Sequence, residues 1–498
     1  MTTRILRNFL SPVFKGLCLL TSTLLITSCG GGGGGGTTVG GGGIGGTGSV
    51  ASVGVVSAVA SVTVNGVTYS CIGATVTTDD GSTAPSGSDD SCVTSQSNGQ
   101  LRPGLVVVVK GSKDSAGNLT ATTVTSQSNV TGPAVNIDPT FLSFTVLSQF
   151  IDVDDNTRFE INDQKFTGVD GLTALAALPA NTVVQVSGLP NNQGRILATF
   201  VETKTRAISE FEVKGVVSNA TSTGFNIGAL NVVLNNQAAQ ANGQCVEAKG
   251  SFSGGTLTLS SIKNDNDCSG SVSGSFDQAQ VEGIVSGVTT PPPTDFLVAG
   301  QSVKIDASTV FSGGTAVDLL NGVKVEAEGS IANGVLLAKK LTIKSNGVRI
   351  EGLPDVAATG NSFTILGITV KVVAATEFNG SISLGNIGPG ASIRIEGSKT
   401  GAKQVTASKI TKGSGSGGGG GARTELRGPL DADAVDPNMT ILGVPINVTS
   451  SATFKSQAGT SISRSAFFAA AKANNVVKAR GSESPDNNIS ATEVEIED

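Results

Sequence analysis

The segment FTILGITVKVVAATEF, residues 363–378, decides the fold because it recurs along the chain. The segments FLVAGQSVKIDASTVF (296–311), MTILGVPINVTSSATF (439–454) and FTVLSQFIDVDDNTRF (144–159) also begin with a large apolar residue, and Phe follows 15 positions later. Three of the four carry Gly at the fifth position. Repetition of this kind indicates one small structural unit that is used several times.

A second shared block follows each copy. It consists of two alternating apolar and polar stretches around a Gly, Asn or Asp turn, which predicts a β-hairpin with one buried face. These blocks occupy residues 106–124, 183–201, 246–262, 323–341, 393–410 and 476–494. Weaker copies of the first segment start at Val62 and Phe225, and an opening strand such as FEVKGVVS (211–218) precedes a copy. Five strands therefore recur six times.

The connector between the third and fourth strands varies most in length. Two connectors contain apparent helices, at 171–181 and at 463–475, where Ser463 is a plausible N-cap. Five strands with a helix between the third and fourth resemble the OB-fold, a small β-barrel. We expect an all-β tandem array of about six five-stranded OB-like barrels, with an SH3-like barrel as the alternative, and with the regular Phe residues in the cores.

The repeats and the Gly-rich segments divide the chain into the following predicted parts. These are a signal peptide at 1–28, a tether at 29–49, barrel repeats at 50–127, 128–206, 207–268, 278–346, 347–412 and 422–498, and a Gly/Ser linker at 413–421. Glycine-rich linkers are flexible, so we expect the sixth repeat to move independently.

The N-terminus has the layout of a secretory signal. Three basic residues precede an uncharged apolar run at 16–26, which is too short to span a bilayer. The aliphatic and small residues at 26–28 precede Cys29 and resemble the bacterial lipobox, in which the cysteine is diacylated. We expect Cys29 to anchor the chain in the membrane, with Gly30 favouring the outer membrane. The alternative is an ordinary signal peptide cut near a free cysteine.

Composition excludes several kinds of chemistry. The 498 residues include 67 Gly, 4% aromatic residues, no His and no Trp. Imidazole catalysis and histidine zinc sites are therefore excluded. The net charge of -6 is spread along the chain, so nucleic acid is not an expected partner. We expect no cofactor.

The cysteine count agrees with export. Cleavage of the signal and lipidation of Cys29 leave Cys71, Cys92, Cys245 and Cys268. Each pair lies inside a repeat that lacks the closing Phe, which predicts disulfides Cys71–Cys92 and Cys245–Cys268. No CxxC spacing occurs, so we expect no thiol catalysis.

Acidic turns occur at 87–92, 151–156 and 263–270. The last of these partly matches the start of a calcium loop, but its twelfth position is Phe276 where the loop requires Glu. We therefore expect solvated turns and no metal site, with calcium binding as the alternative.

The repeated units, the Gly-rich N-terminus and IGGTGSVASVG (44–54) leading into VTVNGVTYS (62–70) resemble bacterial lipoproteins that carry the domain of unknown function 5666. The resemblance covers nearly the whole mature chain. It implies a secreted, multi-barrel envelope protein and supplies no catalytic residues.

Three classes of function remain. The first is a structural or interaction protein held at the membrane by its lipid, facing the periplasm or the cell surface. The second is a binding module for a polysaccharide or another small envelope ligand, although sugar sites usually use exposed Trp or Tyr and this chain has only Tyr69. The third is a hydrolase with paired carboxylates, for which no recurring acidic pair is found. We expect a non-enzymatic protein, with a protein or glycan of the envelope as its partner.

Overall fold

The computed structural model describes residues 48–59, 61–78, 83–85, 92, 101–139, 142–154, 156–190, 195–204, 210–264, 271–290, 292–312, 314–345, 348–378, 382–413, 423–456, 460–473 and 475–497. The predicted signal peptide, Cys29, Cys268, residues 29–47 of the predicted tether and 414–421 of the predicted linker lie outside these ranges. Among the described residues, no helix has the length and apolar character needed to cross a membrane.

The chain folds into six small barrels, named barrel 1 to barrel 6 in chain order. Barrel 1 contains β1 (Gly48–Ala58), β2 (Val62–Val64), β3 (Val67–Tyr69), β4 (Thr75–Thr77), β5 (Thr83–Pro85), β6 (Val106–Lys113) and β7 (Leu119–Gln127). Barrel 2 contains β8 (Val130–Asp138), β9 (Ser143–Val146), β10 (Gln149–Asp152), β11 (Arg158–Ile161), β12 (Gln164–Thr167), α1 (Gly168–Ala176), β13 (Val183–Pro190) and β14 (Arg195–Thr203). Barrel 3 contains β15 (Phe211–Ser218), β16 (Gly224–Ile227), β17 (Leu230–Val233), β18 (Cys245–Ser253) and β19 (Thr256–Asn264).

The second half of the chain repeats this order. Barrel 4 contains β20 (Phe276–Ser286), β21 (Asp295–Val298), β22 (Gln301–Lys304), β23 (Val310–Ser312), β24 (Lys324–Ala332) and β25 (Val335–Ser345). Barrel 5 contains β26 (Val348–Gly352), β27 (Ser362–Ile365), β28 (Ile368–Phe378), β29 (Ile393–Gly401) and β30 (Gln404–Lys412). Barrel 6 contains β31 (Arg423–Pro429), β32 (Asn438–Ile441), β33 (Val444–Lys455), α2 (Arg464–Ala470), β34 (Val476–Glu483) and β35 (Ile489–Ile496). Short 3-10 helices at Ala316–Asp318 and Leu384–Asn386 lie in the connectors of barrels 4 and 5.

The strand order within each barrel is the predicted OB-like order. In barrel 5, β26 pairs antiparallel with β29, β29 with β30 and β27 with β28, while β28 pairs parallel with β30. This parallel pairing of the third and fifth strands distinguishes the fold from an SH3-like barrel, in which neighbouring strands run antiparallel. In barrels 1 to 4 the first strand also pairs with the second, which closes the barrel.

Helices α1 and α2 lie in the predicted connectors. Ser463 caps α2, because its Oγ accepts a hydrogen bond of 3.2 Å from the Ala466 N–H. The start of the recurring segment is buried in every full copy, at Phe144, Phe296, Phe363 and Met439. The closing residues Phe159 and Phe454 are also buried, and Phe311 and Phe378 pack partly buried against their cores. The prediction that these positions form the cores is confirmed.

A glycine in the fourth strand allows each barrel to close. At all six positions the strand register shifts, and a Cβ atom would lie between 1.9 and 2.4 Å from a backbone carbonyl oxygen of the fifth strand. The six residues are Gly111, Gly188, Gly250, Gly329, Gly397 and Gly481. Such a β-bulge bends the hairpin and increases its twist, and only glycine permits this close approach.

A threonine holds the irregular turn in the third strand of barrels 2, 4 and 5. Its hydroxyl donates to a carbonyl oxygen of the fifth strand and so satisfies a buried acceptor. These bonds join Thr157 to Ala198, Thr309 to Ala338 and Thr376 to Ala407, at 2.6, 2.8 and 2.7 Å. The same position in barrel 6 is Ala452, which cannot make the bond.

The barrels share sheets in pairs. Strands β8 and β15 join barrels 2 and 3, and β26 and β31 join barrels 5 and 6, in both cases antiparallel. Strands β1 and β20 join barrels 1 and 4 in parallel. The expected independent movement of the sixth repeat is therefore wrong. Pairing of β26 with β31 satisfies backbone groups that a strand edge would expose, and one apolar cluster spans both barrels.

Candidate functional site

Residues of barrels 2, 4, 5 and 6 line a central cavity of about 550 Å³. Its apolar lining includes Leu189, Leu197 and Ile284. Among the described residues, seven basic side chains and five carboxylates also line it. The basic residues are Arg195, Lys324, Lys344, Arg349, Lys409, Arg427 and Lys478, and the acidic residues are Asp152, Asp154, Glu377, Glu396 and Glu497.

Seven of these twelve charged residues belong to barrels 5 and 6, which share a sheet, and the other five belong to barrels 2 and 4. Strand alternation sends Val477 and Ala479 of β34 into the core and Lys478 and Arg480 to the other face. Charged side chains on such a face are normally solvated. Here Lys478 and Arg480 are only 3% and 4% exposed, because the neighbouring barrels cover them.

Three basic residues of this face form what we call the basic row: Arg349, Arg427 and Lys478. Arg349 lies directly opposite Arg427 on the neighbouring strand, and Arg427 lies directly opposite Lys478. All three line the cavity. Like charges at directly opposed positions repel each other, so the row needs anions nearby.

Carboxylates supply part of that compensation. Lys478 Nζ lies 2.7 Å from Glu495 Oε2 and 2.7 Å from Glu497 Oε1. Burial alone would raise the pKa of Glu497, but the charges of Arg427, Lys478 and Arg195 outweigh it and hold that pKa well below its usual range.

A second row of charged residues lies beside the basic row and is also buried. It consists of Arg394, Glu351, Glu425 and Arg480. Arg480 and Arg349 flank Glu425, and Arg394 Nη2 lies 2.7 Å from Glu351 Oε2. Burial would raise the pKa of Glu425, yet the surrounding cations, with Arg480 foremost, lower it to about 2. A carboxylate held in this way stays ionised and strengthens the contact between barrels 5 and 6 over a wide pH range.

Arg195 connects barrel 2 to this face. It makes two bonds to the Asp152 carboxylate, at 3.0 Å from Nε and 2.6 Å from Nη2. Its Nη1 lies 3.3 Å from Glu495 Oε1, and its guanidinium lies 4.2 Å from the centre of the Phe150 ring. Since Arg195 is 3% exposed, the side chain forms part of the contact between barrels 2 and 6.

Barrel 2 also reaches the cavity through its third-strand turn. The Asp154 carboxylate accepts hydrogen bonds from the backbone N–H groups of Asn156 and Thr157, at 2.8 and 3.0 Å. Lys409 Nζ of barrel 5 donates to Asn156 Oδ1. The acidic turn at 151–156 therefore shapes the backbone and meets the neighbouring barrel.

The family model described as a domain of unknown function (DUF5666) matches residues 47–125, 131–202, 282–342, 350–411 and 427–495. The chain belongs to the DUF5666 family. The five matched segments correspond to barrels 1, 2, 4, 5 and 6, and barrel 3 has the same strand order. No curated protein and no solved structure matches the chain.

The structure describes three of the five cysteines that the sequence analysis assigned to disulfides or to the lipid site. Cys71 and Cys92 form a disulfide within barrel 1, across a separation of 21 residues, and both are fully buried. This prediction is confirmed. Cys245 is also disulfide-bonded. Its predicted partner Cys268 and the predicted lipid site Cys29 lie outside the described residues, so those two assignments stay predictions.

Tyr69 belongs to the core of the first DUF5666 barrel. It is fully buried, and its hydroxyl lies 2.6 Å from Ser52 Oγ. Burial raises the pKa of Tyr69 to about 12, although the hydrogen bond to Ser52 lowers it. The one tyrosine of the chain therefore cannot stack on a sugar from the surface. In the described part of the chain, no three acidic or cysteine side chains converge as metal ligands.

The central cavity between barrels 2, 4, 5 and 6 was not predicted from the sequence. The residues that form it are far apart in the chain, as are Arg195 and Glu495, which are separated by 300 positions. One local signal was present, because Lys and Arg alternate with apolar residues in the fourth strand of barrel 6. That pattern indicates an outward face but not what covers it.

Proposed function

We propose that this protein is a non-enzymatic, lipid-anchored protein of the cell envelope that presents six packed barrels, five of them matched by the DUF5666 model, in a structural or interaction role. The observation that carries the proposal is that charged side chains of barrels 2 and 6 form ion pairs with each other. Arg195 of barrel 2 lies 3.3 Å from Glu495 and 3.9 Å from Glu497 of barrel 6, so these ion pairs hold the two barrels together, and Lys478 lies 2.7 Å from Glu497 within barrel 6. Side chains committed in this way are poor candidates for moving protons.

The anchoring part of the proposal rests on Cys29 and the glycines that follow it. From the lipid to the start of β1 the chain has 18 residues, 30–47, which spans roughly 60 Å when fully extended. The barrels would thus stay within that distance of the outer membrane.

The experiment expresses the full chain and a Cys29→Ser variant and separates the membranes from the soluble fraction. We expect the unchanged chain to incorporate labelled fatty acid and to sediment with outer membranes, and the variant to do neither. Protease shaving of intact cells then distinguishes surface exposure from a periplasmic position. Membrane association of the Cys29→Ser variant at the level of the unchanged chain contradicts the anchor.

The non-enzymatic part is tested with glycan and ester substrates. We expect no turnover by the purified chain. Turnover that a single Asp152→Asn or Glu497→Gln replacement abolishes contradicts this part of the proposal, because such a result requires a catalytic carboxylate.

A second candidate function, binding of a small ligand of the envelope, is favoured by the central cavity. Its volume of about 550 Å³ lies within the usual range for small-molecule sites. Titration of the chain with cell-wall and capsular glycan fragments tests this candidate.

A further inference from the structure

We propose that the central cavity binds an acidic sugar, a mono- or disaccharide that carries a carboxylate. The inference rests on the second candidate function and names the class of ligand. Three features carry it: the placement of the cations, the neutral hydrogen-bonding groups beside them, and the apolar part of the lining.

The cations face the cavity while several of their carboxylate partners do not. Lys324 Nζ lies 2.6 Å from Glu282 and Lys344 Nζ lies 2.6 Å from Glu326, and neither of these glutamates lines the cavity. Both lysines do line it. The positively charged members of these two ion pairs therefore face the central cavity and make it electropositive.

The basic row concentrates this charge. Arg349, Arg427 and Lys478 occupy directly opposed positions on three neighbouring strands and all reach the cavity. Glu396 and Glu497 are the carboxylates of the lining that pair with the row. A ligand carboxylate placed against the row adds charge-assisted hydrogen bonds where like charges meet.

Neutral polar groups surround the same space. Asn156, Ser312, Thr342 and Thr406 line the cavity and supply amide and hydroxyl groups, the partners that sugar hydroxyls require. The apolar side chains Leu189, Leu197 and Ile284 offer a surface for the C–H face of a sugar ring. The combination suits a hydroxylated anion better than a bare inorganic ion.

The cavity opens to solvent. Val373, which is 45% exposed, and Glu377, which is also exposed, belong to its lining. This side of the cavity is therefore accessible from solvent.

Two lysines on β25 provide a matched pair of variants. Lys344 and Lys340 each lie 2.6 Å from a glutamate of β24, and their side chains are 40% and 41% exposed. Lys344 lines the cavity and Lys340 does not. Replacement of either by Gln removes the same kind of ion pair, so we expect similar losses of stability, and only Lys344→Gln changes the lining of the cavity.

The experiment titrates the full chain with glucuronate by calorimetry and by ligand-observed NMR, with glucose and inorganic phosphate as comparison probes. We expect glucuronate to bind at least about tenfold more tightly than glucose or phosphate. Lys344→Gln should weaken glucuronate binding about tenfold, and Lys340→Gln should leave it within about twofold.

Each result that differs from these expectations contradicts one component of the inference. Equal affinity for glucose and glucuronate overturns the acidic class but leaves the second candidate function intact. Equal affinity for phosphate overturns the sugar class. Equal loss in Lys344→Gln and Lys340→Gln places the site elsewhere and overturns the assignment to the cavity. Absence of binding by all three probes overturns the inference, whereas glycan-fragment titration judges the second candidate separately.

Discussion

Replacement of the fourth-strand glycine by alanine should destabilise a barrel strongly, and Gly329→Ala in barrel 4 is one of the two cases with the closest approach. A Cβ at this position would lie 1.9 Å from the carbonyl oxygen of Leu337 and 2.8 Å from its carbonyl carbon. Both are backbone atoms of β25, so rotation of a side chain cannot relieve the clash. The paired strands β24 and β25 must move apart.

The size of the effect follows from that displacement. Close carbon–oxygen contacts between strands are about 3.3 Å long, so the strands must separate by roughly 1.4 Å. Overpacking costs about 1–3 kcal/mol, and each lost ladder hydrogen bond costs about 1 kcal/mol more. Alanine recovers about 0.4–1 kcal/mol by restricting the unfolded chain. We expect a net loss of roughly 2–4 kcal/mol.

The assay must report on barrel 4. The chain has no Trp and one Tyr, so circular dichroism should follow urea unfolding, and hydrogen exchange of peptides from β24 and β25 should localise the loss. Gly385→Ala is the control, because that glycine has no positive φ and nothing within 4 Å of its Cβ position. Equal stability of Gly329→Ala and the unchanged chain would refute the close-approach argument.

Three further predictions concern the junction, the third-strand turn and the disulfide. Glu425 has a pKa of about 2 when folded and 4.5 ordinarily, so its charge stabilises the fold above pH 4.5; this contribution, about 3 kcal/mol, is lost as the pH falls toward 2. The free energy of unfolding should therefore fall less steeply with decreasing pH in Glu425→Gln than in the unchanged chain. An unchanged slope contradicts the stabilising role of this charge. Thr309→Val should cost about 1–2 kcal/mol in urea unfolding because a buried carbonyl loses its donor, whereas Thr294→Val, at an exposed hydroxyl, should cost less than about 0.5 kcal/mol. Replacement of both Cys71 and Cys92 by Ser should cost about 3 kcal/mol for a 21-residue separation, and calorimetry that shows no loss rejects the stabilising role.

The barrels could be predicted from the sequence because their information is local. Alternation within a strand fixes which side chains enter the core, and the spacing from Phe363 to Phe378 repeats that pattern in each copy. The fourth-strand glycine was visible in all six hairpin segments, but its reason was not. The need for glycine arises from the approach of the fifth strand, which no single strand reveals.

The junction could not be predicted because it depends on contacts between distant barrels. Lys478 and Glu495 alternate with apolar residues and so indicate an outward face, which is usually wet. Their burial follows from the docking of barrel 2 through Arg195, a residue of β14. Nothing in the sequence around Arg195 distinguishes it from a solvated arginine.

The buried charges also bear on how six similar barrels select their partners. Chain order does not decide the pairing, because barrel 1 shares a sheet with barrel 4 and not with barrel 2. Ser49 of β1 contributes to the pairing of barrels 1 and 4, because its N–H and hydroxyl both donate to Asp277 of barrel 4, at 2.9 and 2.8 Å. Apolar faces on related barrels would accept several partners, whereas a misdocked barrel 2 would lose the ion pair between Arg195 and Glu495, although each residue keeps a partner in its own barrel. The charged contact between barrels 2 and 6 therefore adds a geometric requirement that apolar faces alone do not impose.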